Sequence, residues 1–267
     1  FLQRDILKGK WGFEGFVISD WASISELVAH GYAEDLDHAS ELAANAGSDM
    51  DMESWAYITH LVKNVREGKV PEDKINEAVR RILTVKFELG LFDDPYRYCN
   101  EQREQERLYH KDHQAGVLDM AKKSIVLLKN EGNLLPISKN QPKIAVIGEL
   151  ANDNNSPLGS WRLGSDDNTA VTVLEGLKKY SSTITYAKGP RVFSPDANFL
   201  NEIQVNETDT NGMEEAVNLA KQSDVVIMVL GEHGFQSGEA RSRTQLGLPG
   251  LQLDLLKEVY KVNKNSP

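Results

Sequence analysis

Cysteine is almost absent: Cys99 is the single one in 267 residues. An internal disulfide is excluded, and so is a zinc site built on cysteines. One thiol fits a cytoplasmic protein and a bacterial periplasmic one alike, so it leaves the compartment open. Clustered basic residues are missing as well. Acids outnumber bases 40 to 30 and no long Lys/Arg run occurs, which argues against nucleic acid and anionic membranes as partners. No apolar stretch approaches the roughly 20 residues that span a bilayer. No serine sits in a G-x-S-x-G elbow, which leaves a hydrolase triad unsupported. No G-x-G-x-x-G follows an apolar run, which weakens a dinucleotide-binding reading.

What is present reads as a globular α/β protein. Hydrophobic residues make up 40% and charged residues 26%, and the length suits one large domain or two ordinary ones. The chain starts at Phe1 inside a helical pattern and stops at Pro267 just after another, so it reads as a piece of a longer protein. The lack of a signal peptide therefore carries no weight.

Residues 1–8 predict a helix, 12–15 a turn, and 16–19 a short buried strand. Ala33, Leu36, Leu42, Ala43 and Ala46 lie near helical spacing, with Gly47 as the stop and a short strand after it. Residues 54–67 predict a further helix with Ser54 as its cap. A longer one follows Pro71, with Ile75, Val79, Ile82 and Leu83 as its apolar stripe and Gly90 beyond its end. Residues 91–114 are polar and aromatic without a clear period and read as a connection over a surface. After them, "GVLDMAKKSIVLLKN" predicts a helix leading into a strand. The apolar strands 143–148 and 225–231, with "ITYAKG" between them, alternate with helices. That pattern implies a parallel sheet covered on both faces.

In such folds functional side chains gather at the carboxyl ends of the strands. Four places qualify: Asp20; Asp49 with Asp51; Gly148 with Glu149; and Gly231, Glu232 and His233 with the loop behind them. Asp20 suits a nucleophile, a base or a metal ligand, and equally a helix N-cap. The loop "GEHGFQSGEARSRT" presents Glu232, His233, Glu239, Arg241 and Arg243, either to carry an acid into a cleft or as a solvated loop with an Arg–Glu pair. Glu232 beside His233 is too little for a metal site, which needs three or four convergent ligands. Trp161, in the glycine-bounded "SPLGSWRLGS", suits stacking on a sugar face, against the plainer reading of a core tryptophan.

Nine stretches in order carry a resemblance to glycoside hydrolase family 3, and within it to bacterial periplasmic β-glucosidases. They are "WGFEGFVISDW", "AANAGSDMDM", "GKVPEDKINEAVRRILTVKFELGLFDDPY", "AKKSIVLLKNEGNLLP", "KIAVIGELA", "LGSW", "TAVTVLEGLK", "AKQSDVVIMVLGE" and "SGEARSRTQLGLPGLQLDLL". The resemblance implies a (β/α)8 barrel, a linker and an α/β sandwich domain with the active site between the domains. Residues 1–95 would hold the last barrel strands, 96–114 the linker and 115–267 the first part of the sandwich. It implies Asp20 as nucleophile, Glu239 as general acid/base with Glu232 as the alternative, and Trp21 and Trp161 as walls of the sugar site. Arg162 stands where close relatives often carry Ser.

The implied chemistry is retaining hydrolysis of terminal β-D-glucosyl residues. It needs two carboxylates about 5–5.5 Å apart and no metal or organic cofactor. A β-xylosidase or broad exo-glycosidase of the same family is the alternative, and a sugar-binding module without catalysis or a nucleotide-binding α/β protein lies outside it. The implied compartment is periplasmic or extracellular. The family's sugar-binding residues on earlier barrel strands have no counterpart in these 267 residues, so this polypeptide alone is expected to be inactive.

Overall fold

Helices form in the first 90 residues nearly where the spacing puts them, with one more, Ser23–Ala29, that the spacing does not mark. A π-helix, Leu2–Lys10, comes first. Then follow α1 (Ser23–Ala29), α2 (Leu36–Ala46), α3 (Ala56–Arg66) and α4 (Glu72–Glu88). The computed structural model describes all residues except 139–142, 163–167, 196, 199–200, 240 and 265–267. The chain divides into two units, Phe1–Ala121 and Lys122–Pro267.

In the first unit, Asp35 caps α2 by accepting the His38 N–H at 2.8 Å, and Gly47 closes the helix with a φ of 102°. Ala39 and Ala43 of α2 pack with Ile24, Ala33 and Ala56. The small residues let α2 lie close to α1 and α3. Ser54 does not cap α3. Trp55 holds the N-cap position, one residue later, so the Ser54 hydroxyl accepts the Ser25 N–H instead, and Asp51 accepts the Tyr57 N–H in the first turn. α4 begins after Pro71 and has Gly90 beyond its end. None of its residues is buried, and Val79 and Leu83 of the apolar stripe stay exposed.

Residues 16–19 and 49–52 run parallel, with the bridge at Ile18 and Met50. Ser19 N–H donates to Met50 O at 2.9 Å, Met50 N–H to Val17 O at 3.1 Å, and Ala22 N–H to Met52 O at 2.9 Å. The expected strand exists only as this short pairing, and it is not buried: Ile18 is 41% exposed. Two short segments that pair only with each other, among the described residues, leave their outer edges and faces open. Asp49 fixes their start. Its carboxylate takes the Lys8 ammonium at 2.6 Å and the Val17 N–H at 2.8 Å.

The stretch 91–114 is not irregular throughout. It contains α5 (Glu101–Arg107), capped by Asn100, which accepts the Arg103 N–H at 2.7 Å. The helix is charged on every side and buries nothing, so no apolar period marks it. α6 (Lys111–Ser124) follows, and the division between the units falls inside it. The strand expected after it does not form. Residues 125–130 carry no ladder, and Leu128 is 91% exposed.

The second unit is built on a parallel three-stranded sheet of β1 (Ile144–Ile147), β2 (Ile184–Ala187) and β3 (Val225–Met228), in the order β2-β1-β3. Ile144 faces Ile184 on one side and Val225 on the other. All four residues of β1 are buried, as a central parallel strand requires. Ala145, Ile147 and Val226 pack against α8 (Met213–Lys221) and α9 (Gln252–Val262) through Ala216, Ala220, Leu255 and Val259. Val146 points to the opposite face and meets Ala151 and Leu174 of α7 (Val173–Lys178). The sheet is thus covered on both faces, as the alternation of strand and helix predicts.

Candidate active site

Asp20 lies just past the carboxyl end of the 16–19 segment. It does not cap α1. Ala22 holds that position with a φ of 54° and no side-chain bond, and Asp20 Oδ1 accepts the neighbouring Trp21 N–H at 2.7 Å. The carboxylate stands exposed at the rim of a groove of about 390 Å³ whose walls include Ile18, Ile24, Leu27 and Leu42. Trp21 is 65% exposed beside it. Asp49 and Asp51, the other acids at a strand end, serve structure: Asp49 binds Lys8 and Val17, and Asp51 binds α3.

In the second unit the ends of β1 and β3 open into a cavity of about 490 Å³, lined by Glu149, Asp153, Asn155, Arg162, Lys188 and His233 among others. Glu149 is spoken for: it accepts the Val192 N–H at 2.5 Å and pairs with Lys188 at 2.8 Å. Asp153 accepts the N–H groups of Asn155 and Ser156 and the Ser156 hydroxyl. Burial works to raise its carboxyl, but the Ser156 hydroxyl and these N–H groups outweigh it and hold Asp153 below the ordinary carboxylate range. Burial, foremost, pushes the His233 imidazole below its usual value. Asp153 opposes that and Arg162 adds to it. His233 Nδ1 accepts the Phe235 N–H at 3.1 Å, so the ring serves as a cap for the turn Gly234–Gln236.

Glu232 is ion-paired with Arg243. Glu239, further along the same loop, is exposed, and its carboxylate meets no hydrogen-bond or ion-pair partner among the described residues. Trp161 is 63% exposed, which removes the reading of a core tryptophan. Arg162 lies over the Phe235 ring at 4.5 Å and donates to Asn155 Oδ1 at 2.8 Å. Within this unit the structure thus joins the Trp161 loop to the Glu239 loop. The sequence marks Glu149 and His233 as strand-end residues and places Lys188 at the end of "ITYAKG", but it gives no sign that Asp153 and Arg162 lie beside them. Asp153 and Arg162 lie on irregular loops, whose contacts leave no period to read.

Among the described residues no three His, Cys, Asp or Glu side chains converge as metal ligands, and no helix is long and apolar enough to cross a membrane.

Comparison with known proteins matches residues 1–85 to the glycosyl hydrolase family 3 N terminal domain and residues 125–266, more than half of the chain, to the family 3 C-terminal domain. A periplasmic beta-glucosidase of Salmonella typhimurium is 35% identical over 99% of this chain and 36% of its own length. A beta-xylosidase of Formosa agariphila is 34% identical over 99% of this chain and 37% of its own. The chain therefore spans about a third of the length of these relatives. The crystal structure of a beta-glucosidase from Listeria innocua in complex with isofagomine superposes with a TM-score of 0.85, at 30% identity, over 99% of this chain and 35% of that one. The two domain matches, in family order along one polypeptide, place this chain in glycosyl hydrolase family 3.

Proposed function

We propose that these residues supply the nucleophile and the general acid/base of a retaining β-glycosidase that releases terminal β-D-glucosyl residues. The observation that carries the reading is Asp20. It stands at a strand's carboxyl end, is released from any helix-capping duty, and is open at a groove rim beside an exposed tryptophan. In the reaction Asp20 attacks the anomeric carbon and the glycosidic C–O bond breaks. Glu239 gives its proton to the departing oxygen, then takes one from the water that releases the sugar from Asp20. Glu239 is preferred to Glu232 because Glu232 is held by Arg243. Trp21 and Trp161 offer ring faces to the sugar.

On this reading residues 1–95 are the last part of a (β/α)8 barrel, 96–114 a linker and 115–267 the beginning of an α/β sandwich. Since the relatives are about three times as long, activity belongs to a longer polypeptide that contains these residues, and the chain alone is inactive. The location is periplasmic or extracellular, and the name of the Salmonella relative supports the periplasm. A β-xyloside is the second substrate, supported by the Formosa relative.

The test is hydrolysis of p-nitrophenyl β-glucoside and β-xyloside by the longest reading frame containing this sequence, beside its Asp20→Asn variant. The variant is expected to fold as the parent does, because the Asp20 side chain is exposed and, among the described residues, bonds only the Trp21 N–H, yet to lose turnover by orders of magnitude. An unchanged rate would remove Asp20 from the chemistry.

A further inference from the structure

The acid assigned to Glu239 sits on a loop, and a loop end without partners does not hold a proton donor in place by itself. The second unit shows what holds it. At its base, Gly231 exchanges two hydrogen bonds with the buried Gln252 side chain, at 2.9 and 2.8 Å. In its middle, His233 and Gln236 cap the turn reciprocally, and the loop then lies against residues 153–162. Gly234 packs so closely on Ser156 that a Cβ there would fall 2.8 Å from the Ser156 carbonyl oxygen. Gly238, at a φ of +109°, leaves room for the Ser160 side chain. Between these two contacts the Arg162 guanidinium covers the buried Phe235 ring at 4.5 Å.

The opposing loop is itself knitted. Asp153 accepts three hydrogen bonds from Asn155 and Ser156. Asn155 Oδ1 accepts from both Arg162 and the Asn168 N–H, each at 2.8 Å. Arg162 is thus anchored on its own loop and stacked on the other. Its chain neighbour is Trp161; four residues beyond Phe235 is Glu239.

We propose that Arg162, through its stack on Phe235, is a positioning residue that locks the Glu239 loop to the Trp161 loop, so that acid and aromatic platform approach the sugar as one body. The proposal rests on the assignment of Glu239 as acid/base. A cation over an aromatic face is a directional contact, and here it joins the two loops. Without it the loops keep their van der Waals contact but lose their angle to each other.

The experiment uses the full polypeptide and a series of aryl β-glucosides of falling leaving-group acidity, read as kcat/KM. A 2,4-dinitrophenolate leaves without a proton; a p-methoxyphenolate needs one. Arg162→Met is expected to cost on the order of tenfold to a hundredfold on the poor leaving groups and little on dinitrophenyl glucoside. Arg162→Lys, which keeps a cation over the ring, restores part of the loss. Hydrogen exchange of residues 231–239 in Arg162→Met is expected to quicken. A leaving-group dependence equal to that of the parent overturns the proposal, and so does a uniform loss on every substrate, which marks a merely structural role. Glu239→Ala, run alongside, tests the underlying assignment. It must steepen the dependence, and added azide must yield β-glucosyl azide. If it does neither, the acid assignment fails and the positioning role falls with it. If it does both while Arg162→Met changes nothing, only the positioning role fails.

Discussion

Lys8 Nζ lies 2.6 Å from Asp49 Oδ1, with only 6% and 4% of the two side chains exposed. The pair joins the end of the π-helix to the start of the 49–52 segment, which runs beside the segment that leads to Asp20. Lys8 also donates to Gly47 O at 2.8 Å, and Asp49 Oδ2 takes the Val17 N–H. Removing one partner leaves a buried charge uncompensated, which costs about 3–5 kcal/mol. Lys8→Met and Asp49→Leu should each destabilise the chain on that scale in urea unfolding. The double variant Lys8→Met/Asp49→Leu should lose less than the sum of its single changes, because it strands no charge. Additive losses would mean that the pair is not coupled as its geometry implies.

His233 gives the second unit a pH dependence of defined sign. Burial holds its folded pKa below the ordinary value, so between that value and about 6.5 the unfolded chain binds a proton that the folded one does not. Stability is fully present above about pH 6.5 and declines as pH falls toward the folded pKa. The groups facing the ring are Asp153, Glu149 and Arg162, with Phe193 and Phe235 beside it. Asp153 is held below the ordinary carboxylate range, so its own titration lies at lower pH. Urea midpoints taken from pH 7.5 to 5.5 should fall, and fall less in His233→Asn, whose side-chain oxygen still accepts the Phe235 N–H. An equal fall in both proteins would assign the effect to another group.

How much of this was legible in the sequence follows from the range of the forces involved. β1, β3, α8 and α9 were readable because a buried parallel strand must be apolar throughout and its covering helices must carry a stripe, and β2 because it lies between such elements in an alternating pattern. The place of Asp20 was readable because the apolar run Phe16–Ile18 ends just before it, at Ser19. α5 was not, since a helix held by an Asn100 cap and charged side chains has no apolar period. Ser54 was misplaced by one residue because Trp55 takes a positive φ of 61°, which propensity does not foresee. The strand expected from the apolar run 125–128 was a false reading: periodicity shows that a segment can pair, not that a neighbour is there. The stack of Arg162 on Phe235 joins residues 73 positions apart across two irregular loops, and only the fold brings them together.

Gln252 offers the sharpest test of how the Glu239 loop is anchored. It is 2% exposed, and its amide serves three backbone groups: it accepts the Gly231 N–H and donates to the carbonyls of Gly231 and Pro249. Gln252→Leu keeps much of the volume and removes every one of these bonds. Each buried group left unpaired costs about 1–3 kcal/mol, so the loss should be plain in the urea midpoint. Gln252→Glu separates donor from acceptor. The carboxylate still accepts the Gly231 N–H but sets negative charge against two carbonyl oxygens, so at pH 7.5 it should be no more stable than Gln252→Leu. Protonation restores one donor, so Gln252→Glu should gain on Gln252→Leu as the pH is lowered through its carboxyl pKa. If Gln252→Glu is as stable as the parent at pH 7.5, the donated bonds contribute nothing, and the loop is held by its packing alone.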